Sequence, residues 1–148
     1  MAIMKFESIL VVCVGNICRS PTGEALLRER LPSKEVASAG LHALSGHGAD
    51  SHACLAAEKN GVSLSGHVAR QLTSSLCHEY DLILVMEKKH IDAVGNLAPE
   101  VRGKTMLFGH WLNQMEIDDP YRKSQEAFDR TFQLLLRSAD KWAKLLTS

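Results

Sequence analysis

A cysteine and an arginine near the start of the chain, Cys13 and Arg19, are separated by five residues. A turn of this length lets successive backbone N–H groups point to one centre, which creates a binding site for an anion. The planar fork of an arginine matches two oxygens of a phosphate group, which a lysine matches less well. The same donors favour the thiolate, the form in which cysteine is a nucleophile. The pair therefore indicates anion binding beside an activated thiol.

The segment that begins at Cys13 is predicted to hold the anion as a unit. Its other members are Val14, Gly15, Asn16, Ile17, Cys18, Arg19 and Ser20. Gly15 allows a close approach of the backbone to the ligand, and Asn16 tolerates a left-handed backbone. Ser20 is placed to donate its hydroxyl to the thiolate. A cysteine–arginine pair alone is more often a buried cysteine and a solvated arginine, so the surrounding elements decide between these interpretations.

The elements around the loop are predicted to be strands that alternate with helices. Strands are expected at residues 6–12, 36–39 and 81–86, and at 105–107 together with the residues flanking them. Helices are expected at 22–31, from Asp50 as the cap to Gly61 as the end, at 87–97 and from about 125 to 146. Ser20 is expected to cap the first helix, with Pro21 at its first position. This alternation predicts an α/β fold with a parallel sheet and helices on both faces. Ligands bind beyond the carboxyl ends of such strands, which is where Cys13 lies.

The ten residues from Val12 to Pro21 resemble the signature loop of the low-molecular-weight protein tyrosine phosphatases. The likeness extends along nearly the whole chain, with similar segments at 38–40, 81–86 and 119–121. It is greatest to the bacterial branch associated with exopolysaccharide and capsule, at 102–104, 107–111 and 120–124. The resemblance implies one domain over 1–148, with a three-layer αβα fold and a flavodoxin-like sheet of four parallel strands in the order 2-1-3-4.

The resemblance also implies an activity, a partner and a product. The expected reaction is hydrolysis of phosphotyrosine through a cysteinyl-phosphate intermediate on Cys13. The expected partner is a tyrosine-phosphorylated protein, a membrane tyrosine autokinase of polysaccharide export, and the product is inorganic phosphate. No cofactor is expected, because the loop amides and Arg19 themselves neutralise the phosphate charge.

Two carboxylates, Asp118 and Asp119, stand directly before Pro120. A phosphate monoester with a poor leaving group needs an acid that protonates the leaving oxygen. The proline restricts Asp119 to extended conformations and so stiffens its loop. The resemblance implies that the acid immediately precedes the proline, which is Asp119, and Asp118 is the weaker candidate. Without the loop at Cys13, the pair would indicate only a solvated turn.

Four further side chains are expected around the anion. Cys18 is expected to form a reversible disulfide with oxidised Cys13, and its alternative role is that of a small residue filling the loop. Tyr121 is expected to form one wall of the cleft and to stack on an aryl ring. The resemblance implies that the opposite wall comes from the loop of residues 41–47, which carries Leu41, His42, Leu44 and His47 where other branches have a large aromatic residue. Leu41 and Leu44 are the expected wall residues.

The composition narrows the partners and the compartment. The chain has 17 basic and 17 acidic residues, and this balance argues against a nucleic-acid-binding surface. Residues 1–8 lack a signal-peptide pattern and the apolar run 9–14 is short, so we expect a cytoplasmic protein without membrane insertion. The seven histidines show no usual zinc spacing, so no metal is expected.

Two other functions are also compatible with the loop sequence. Some arsenate reductases resemble this fold and reuse the same loop, but they need further cysteines that relay a disulfide outward. Cys54 and Cys77 are far apart in sequence, are expected in helices and form no close pair, so arsenate reduction ranks below phosphatase activity. A binding module for phosphotyrosine without turnover would be expected to lose Cys13, Arg19 or the acid, and all three are present.

Overall fold

The computed structural model describes residues 6–147, which form four β-strands, five α-helices and one 3-10 helix. The strands are β1 (Ser8–Cys13), β2 (Glu35–Gly40), β3 (Leu82–Val85) and β4 (Thr105–Leu107). The α-helices are α1 (Arg19–Arg30), α2 (Ser51–Glu58), α3 (Ser74–Glu79), α4 (Lys88–Leu97) and α5 (Gln125–Thr147), and the 3-10 helix is Pro99–Lys104. None of the helices in this part of the chain combines the length and apolarity that a membrane crossing requires.

The four strands form one parallel sheet in the order β2-β1-β3-β4. The predicted strand order is therefore confirmed. β1 lies between β2 and β3, and its five residues after Ser8 are all buried, which explains the apolar run. Cys13 pairs in register with Gly40 at the carboxyl ends of β1 and β2. The loop that follows Cys13 thus starts at the sheet edge where α/β folds bind ligands.

Helices cover both faces of the sheet, as predicted. On one face, α1, α2 and α5 pack against alternate strand residues that include Ile9, Val11 and Leu84. On the other face, α3, α4 and the 3-10 helix pack against the residues in between, which include Leu10 and Val85. Because successive strand residues point to opposite faces, two separate cores result, and the fold has three layers.

The predicted cap of the first helix is wrong. Helix α1 begins at Arg19, and its N-cap is Cys18, which makes no side-chain capping bond. The Ser20 hydroxyl lies 2.9 Å from Cys13 Sγ and accepts a hydrogen bond from Asn16, so it serves the loop and not the helix end. The cap by Asp50 is confirmed, since its carboxylate accepts the backbone N–H of His52. The helix it caps ends at Glu58, three residues before the predicted end.

Candidate active site

Cys13 is the last residue of β1, and its side chain is 3% exposed at the base of a cleft. Its Sγ lies 2.9 Å from the hydroxyl oxygen of Ser20 in the first turn of α1. The chain between them turns through Asn16, which has a left-handed backbone with φ of 59°, as its residue type allows. Gly40 makes this tight turn possible, because a Cβ there would stand 2.6 Å from the carbonyl oxygen of Val14.

The hydrogen bonds of Asn16 determine which way the Ser20 hydroxyl points. The Oδ1 of Asn16 accepts the backbone N–H of Arg70, so its other amide atom is the nitrogen. That nitrogen donates to the hydroxyls of Ser20 and Ser38, at 2.8 and 2.9 Å. The Ser20 oxygen is thereby an acceptor toward Asn16, and its own proton remains for Cys13. This arrangement supplies a neutral donor to a thiolate on Cys13.

The Arg19 side chain is 1% exposed and anchored at one of its terminal nitrogens. Nη1 donates to Glu87 Oε2 and to the carbonyl oxygen of Ile117, both at 2.7 Å. Nε and Nη2 have no hydrogen-bond partner among the described residues. These two nitrogens form the side-on edge of the guanidinium, which matches two oxygens of a phosphate. A buried guanidinium with this edge free is arranged to bind an oxyanion.

The structure brings Asp119, and not Asp118, into the cleft. Asp119 Oδ2 lies 3.5 Å from Arg19 Nη2, and Oδ1 accepts the backbone N–H of Tyr121 at 3.0 Å. The 3.5 Å pair is an ion pair without a hydrogen bond, so it leaves the Arg19 edge available. Asp118 is exposed and lines a separate groove beside Lys123. Of the two carboxylates, Asp119 is therefore the one that lines the cleft with Cys13.

The cleft has a volume of about 150 Å³. Its lining residues are Cys13, Val14, Gly15, Ile17, Cys18, His42, Leu44, Asp119 and Tyr121. Tyr121 and Leu44 are the predicted wall residues that the structure places there, and both are partly exposed at the rim. Leu41 is not among the lining residues, because its side chain packs against the core beside α3 and α4, and His42 stands in the cleft in its place.

A larger cavity of about 670 Å³ lies between α1 and the segment 63–70. It includes Ser38, His67 and Arg70, but not Cys13, Arg19 or Asp119. This cavity is larger than the cleft, but Cys13 and Asp119 line the smaller cleft, which is therefore the candidate active site. The larger cavity borders the loop from behind, where His67 Nε2 donates to the carbonyl oxygen of Asn16 at 2.6 Å.

Cys18 is buried beside the cleft, and its thiol is free. Burial raises the pKa of Cys18 above its usual range, with the negative charge of Asp50 acting in the same direction. At neutral pH Cys18 is accordingly a thiol, so it does not compete with Cys13 as a nucleophile. The disulfide between the two residues stays a prediction.

Glu87 and His90 belong to the site, although the sequence analysis did not identify them. Glu87 is the N-cap of α4 and follows β3, so it stands at the same sheet edge as Cys13. Burial opposes its charge, but the hydrogen bond and the charge of Arg19 outweigh burial and lower the pKa of Glu87. His90 is 2% exposed, and its Nδ1 accepts the backbone N–H of Glu87 at 3.2 Å. The sequence feature that could have identified Glu87 is its position as a carboxylate two residues after a buried strand.

The titration of His90 predicts a pH-dependent stability. Burial lowers the pKa of His90 to about 4, with the charge of Arg19 acting in the same direction. An unfolded histidine binds its proton near pH 6.5, so acid favours the unfolded chain between about pH 6.5 and 4. Across this window, we expect the wild type to lose up to about 3 kcal/mol of unfolding free energy that His90→Gln does not lose. Urea unfolding at several pH values measures this difference.

The control for this measurement is His47→Gln, which removes an exposed histidine from a loop. Its unfolding free energy should follow the pH dependence of the wild type. A constant difference between wild type and His90→Gln across the window would contradict the expected titration.

The chain matches known proteins along nearly all of its length. A sequence model of the family described as low molecular weight phosphotyrosine protein phosphatase matches residues 8–148. The low molecular weight protein-tyrosine-phosphatase Etp of Escherichia coli strain K12 is 59% identical over 147 residues, which are 99% of each chain.

Solved structures agree with this similarity. The crystal structure of the Erwinia amylovora tyrosine phosphatase AmsI has a TM-score of 0.95 and 58% identity, covering 97% of this chain and 95% of that one. The structure of Vibrio vulnificus Wzb in complex with benzylphosphonate has a TM-score of 0.92 and 56% identity, covering 94% and 98%. The cleft described above is thus found in a chain whose sequence and fold are both those of tyrosine phosphatases.

Proposed function

The chain belongs to the low molecular weight protein-tyrosine-phosphatase family, in its bacterial exopolysaccharide- and capsule-associated branch, and we propose that it hydrolyses phosphotyrosine through a phosphate ester of Cys13. The observation that carries this proposal is the side-on edge of buried Arg19, which has no hydrogen-bond partner among the described residues. This edge lies beside Asp119, which lines the same cleft as Cys13. Phosphate binding requires that edge, and turnover requires the thiol and the carboxyl group beside it.

In the first step, the Cys13 thiolate attacks phosphorus in line with the phenolic oxygen. A bond forms between Sγ and phosphorus, and the bond between phosphorus and the phenolic oxygen breaks. Arg19 and the loop amides hold the equatorial oxygens, where they stabilise the charge of the transition state. The carboxyl group of Asp119 gives its proton to the leaving oxygen, so that a neutral tyrosine departs.

In the second step, water attacks the cysteinyl phosphate. The Asp119 carboxylate left by the first step takes a proton from this water, and the bond between phosphorus and sulfur breaks. Inorganic phosphate forms, and the electron pair returns to Sγ. The Ser20 hydroxyl, whose proton points to Cys13, stabilises the departing thiolate.

The substrate that we propose is a tyrosine-phosphorylated protein, namely a tyrosine autokinase of capsule or exopolysaccharide export. The open rim supports a phosphotyrosine that protrudes from a protein, because Tyr121 is 38% exposed there. The phosphate-bearing end reaches the buried Arg19, and the aryl ring lies between Tyr121 and Leu44. The Vibrio vulnificus relative that binds benzylphosphonate carries a similar ligand, a benzyl group joined to an oxyanion.

Arsenate reduction is less well supported, because a disulfide relay needs thiols that follow one another toward the surface. Cys77 lies in the core on the opposite face of the sheet from Cys13 and Cys18. Cys54 remains on the same face, but its thiol points to the carbonyl oxygen of Ala49.

A phosphotyrosine-binding module without turnover is also less well supported. Such a module would not need the carboxyl group of Asp119, which lines the cleft.

The deciding experiment follows a peptide with 32P-phosphotyrosine through a single turnover. We expect release of inorganic phosphate, and after rapid denaturation a labelled chain whose phosphate is bound to Cys13, as identified by peptide mass spectrometry. Phosphate release without a labelled chain at any time would contradict the covalent intermediate. Thioredoxin oxidation that depends on arsenate, in the absence of phosphatase turnover, would favour the reductase instead.

A further inference from the structure

His90 is a buried residue in the first turn of α4 that the two-step reaction does not use. It contacts Glu87, the carboxylate that anchors Arg19. We propose that His90 is a positioning residue for Arg19, since it orients the Glu87 carboxylate beneath the guanidinium through its Nε2–H. This inference rests on the proposed function of Arg19 as the phosphate-binding side chain.

The hydrogen bonds of His90 identify its tautomer. The backbone N–H of Glu87 can only donate, and it points to Nδ1 at 3.2 Å, so Nδ1 carries no proton. A neutral imidazole then carries its proton on Nε2. The neutral form agrees with the lowered pKa of His90, which follows from burial and from the nearby charge of Arg19. His90 therefore presents a neutral N–H donor inside the protein.

This donor has a specific direction. Nε2 lies 3.6 Å from Glu87 Oε2, the same oxygen that receives Arg19 Nη1 at 2.7 Å. At that distance no hydrogen bond is formed, and Nε2 has no other partner among the described residues. A buried donor without a partner is costly, so a shift of the carboxylate by a few tenths of an ångström toward His90 is favourable. We expect this shift when an oxyanion binds to the side-on edge of Arg19.

The neutrality of His90 matters for the arginine. A cation at this position would attract Glu87 but would also repel the guanidinium. A neutral N–H holds the carboxylate without that repulsion. The other oxygen of Glu87 faces Lys89, which is 3.6 Å away and exposed, and an exposed pair of this kind contributes little. The position of Glu87 Oε2, the oxygen on the buried side, therefore depends on His90 and Arg19.

His90 also has a structural role, which the experiment must separate from positioning. It completes a capping box with Glu87, in which its side chain accepts the N-cap N–H. In His90→Asn, the amide oxygen replaces Nδ1, so the cap acceptor is kept and the donor is lost. In His90→Gln, the amide nitrogen reaches the position of Nε2, so the donor is kept.

The probe is inorganic phosphate, whose binding is measured by calorimetry on the full chain without turnover. We expect His90→Asn to raise the Kd for phosphate about fivefold, the effect of one lost hydrogen bond, with a Tm near that of the wild type. We expect His90→Gln, which keeps the donor, to hold the Kd within about twofold of the wild-type value. Lys89→Gln is the matched control on the exposed side of Glu87, and its Kd should equal that of the wild type within about twofold.

A double-mutant cycle with Glu87→Gln tests the route of the effect. If His90 acts through Glu87, adding His90→Asn to Glu87→Gln should not weaken phosphate binding further. In the wild type, 15N NMR of the imidazole should show the proton on Nε2. Additive losses in Kd, a proton on Nδ1, or a His90→Asn chain with lower Tm and unchanged Kd would each overturn the inference. Failure of the wild type to bind phosphate would instead refute the proposed function.

Discussion

Cys13→Ser is expected to lower the turnover of aryl phosphates by about 10⁴-fold or more, because the chain loses its nucleophile. A serine hydroxyl ionises much less readily than a thiol, and the single donor from Ser20 does not compensate for this difference. Phosphate binding should persist, since the free Arg19 edge and the loop backbone are unchanged. Stopped assays with p-nitrophenyl phosphate measure the turnover, and calorimetry with inorganic phosphate measures the binding.

The control for this variant is Cys54→Ser, which changes a half-buried thiol in α2 outside the cleft. Its turnover should stay within about twofold of the wild type, as is usual away from a reactive centre. Turnover by Cys13→Ser at a tenth of the wild-type rate would refute the covalent mechanism. Equal losses in both variants would indicate that thiol removal damages the fold.

Most elements could be predicted because their causes are local, whereas the order of the strands followed from the family resemblance. Alternating strands and helices, with the apolar run before Cys13, predict a parallel sheet, and β4 lies within the segment predicted for it. A helix was expected around Cys77, but its bounds were not predicted. Helix α3 has six polar-rich residues of which only Cys77 is buried, so it shows no helical periodicity. The capping error at Ser20 has a different cause. A serine hydroxyl can cap a helix or contact a nearby thiol, and the Ser20 hydroxyl contacts the Cys13 thiol. A sequence pattern does not distinguish these two roles.

The predicted site residues differ in how far sequence reasoning could place them. Cys13, Arg19 and Ser20 lie within one turn, so their spacing already brings them together. The wall opposite Tyr121 depends on which side chains of a loop face inward. There the structure places His42 and Leu44, with Leu41 turned to the core. The direction of side chains in a loop follows no periodic pattern in the sequence, so Leu41 was wrongly expected in the wall. The roles of these residues in catalysis are still predictions.

The anchors of Arg19 illustrate what local patterns cannot show. Glu87 is 68 residues away in sequence, and the Ile117 carbonyl is 98 residues away. Both reach the arginine only because the carboxyl ends of neighbouring parallel strands meet at one edge. A carboxylate two residues after a buried strand is a weak signal in a sequence, and a backbone carbonyl gives none. The sequence therefore does not show that Nε and Nη2 of Arg19 lack partners, and this feature could be found only in the structure.

Asp119→Asn is expected to slow the hydrolysis of substrates with poor leaving groups by about 10²- to 10³-fold, the usual contribution of a general acid. Asparagine keeps the size of the side chain and an oxygen that accepts the Tyr121 N–H, but it has no proton to give. A good leaving group departs without protonation, so the loss in the first step should be smaller for dinitrophenyl phosphate than for phenyl phosphate. Single-turnover rates with both substrates measure this ratio.

Asp118→Asn is the matched control, since it makes the same change one residue away on an exposed side chain outside the cleft. Its single-turnover rates should stay within about twofold of the wild type for both substrates. If Asp118→Asn shows the larger loss with phenyl phosphate, the acid is Asp118. If Asp119→Asn slows both substrates equally, Asp119 orients Arg19 electrostatically and transfers no proton. The dependence on the leaving group separates these roles, because only proton transfer to the phenolic oxygen responds to its basicity.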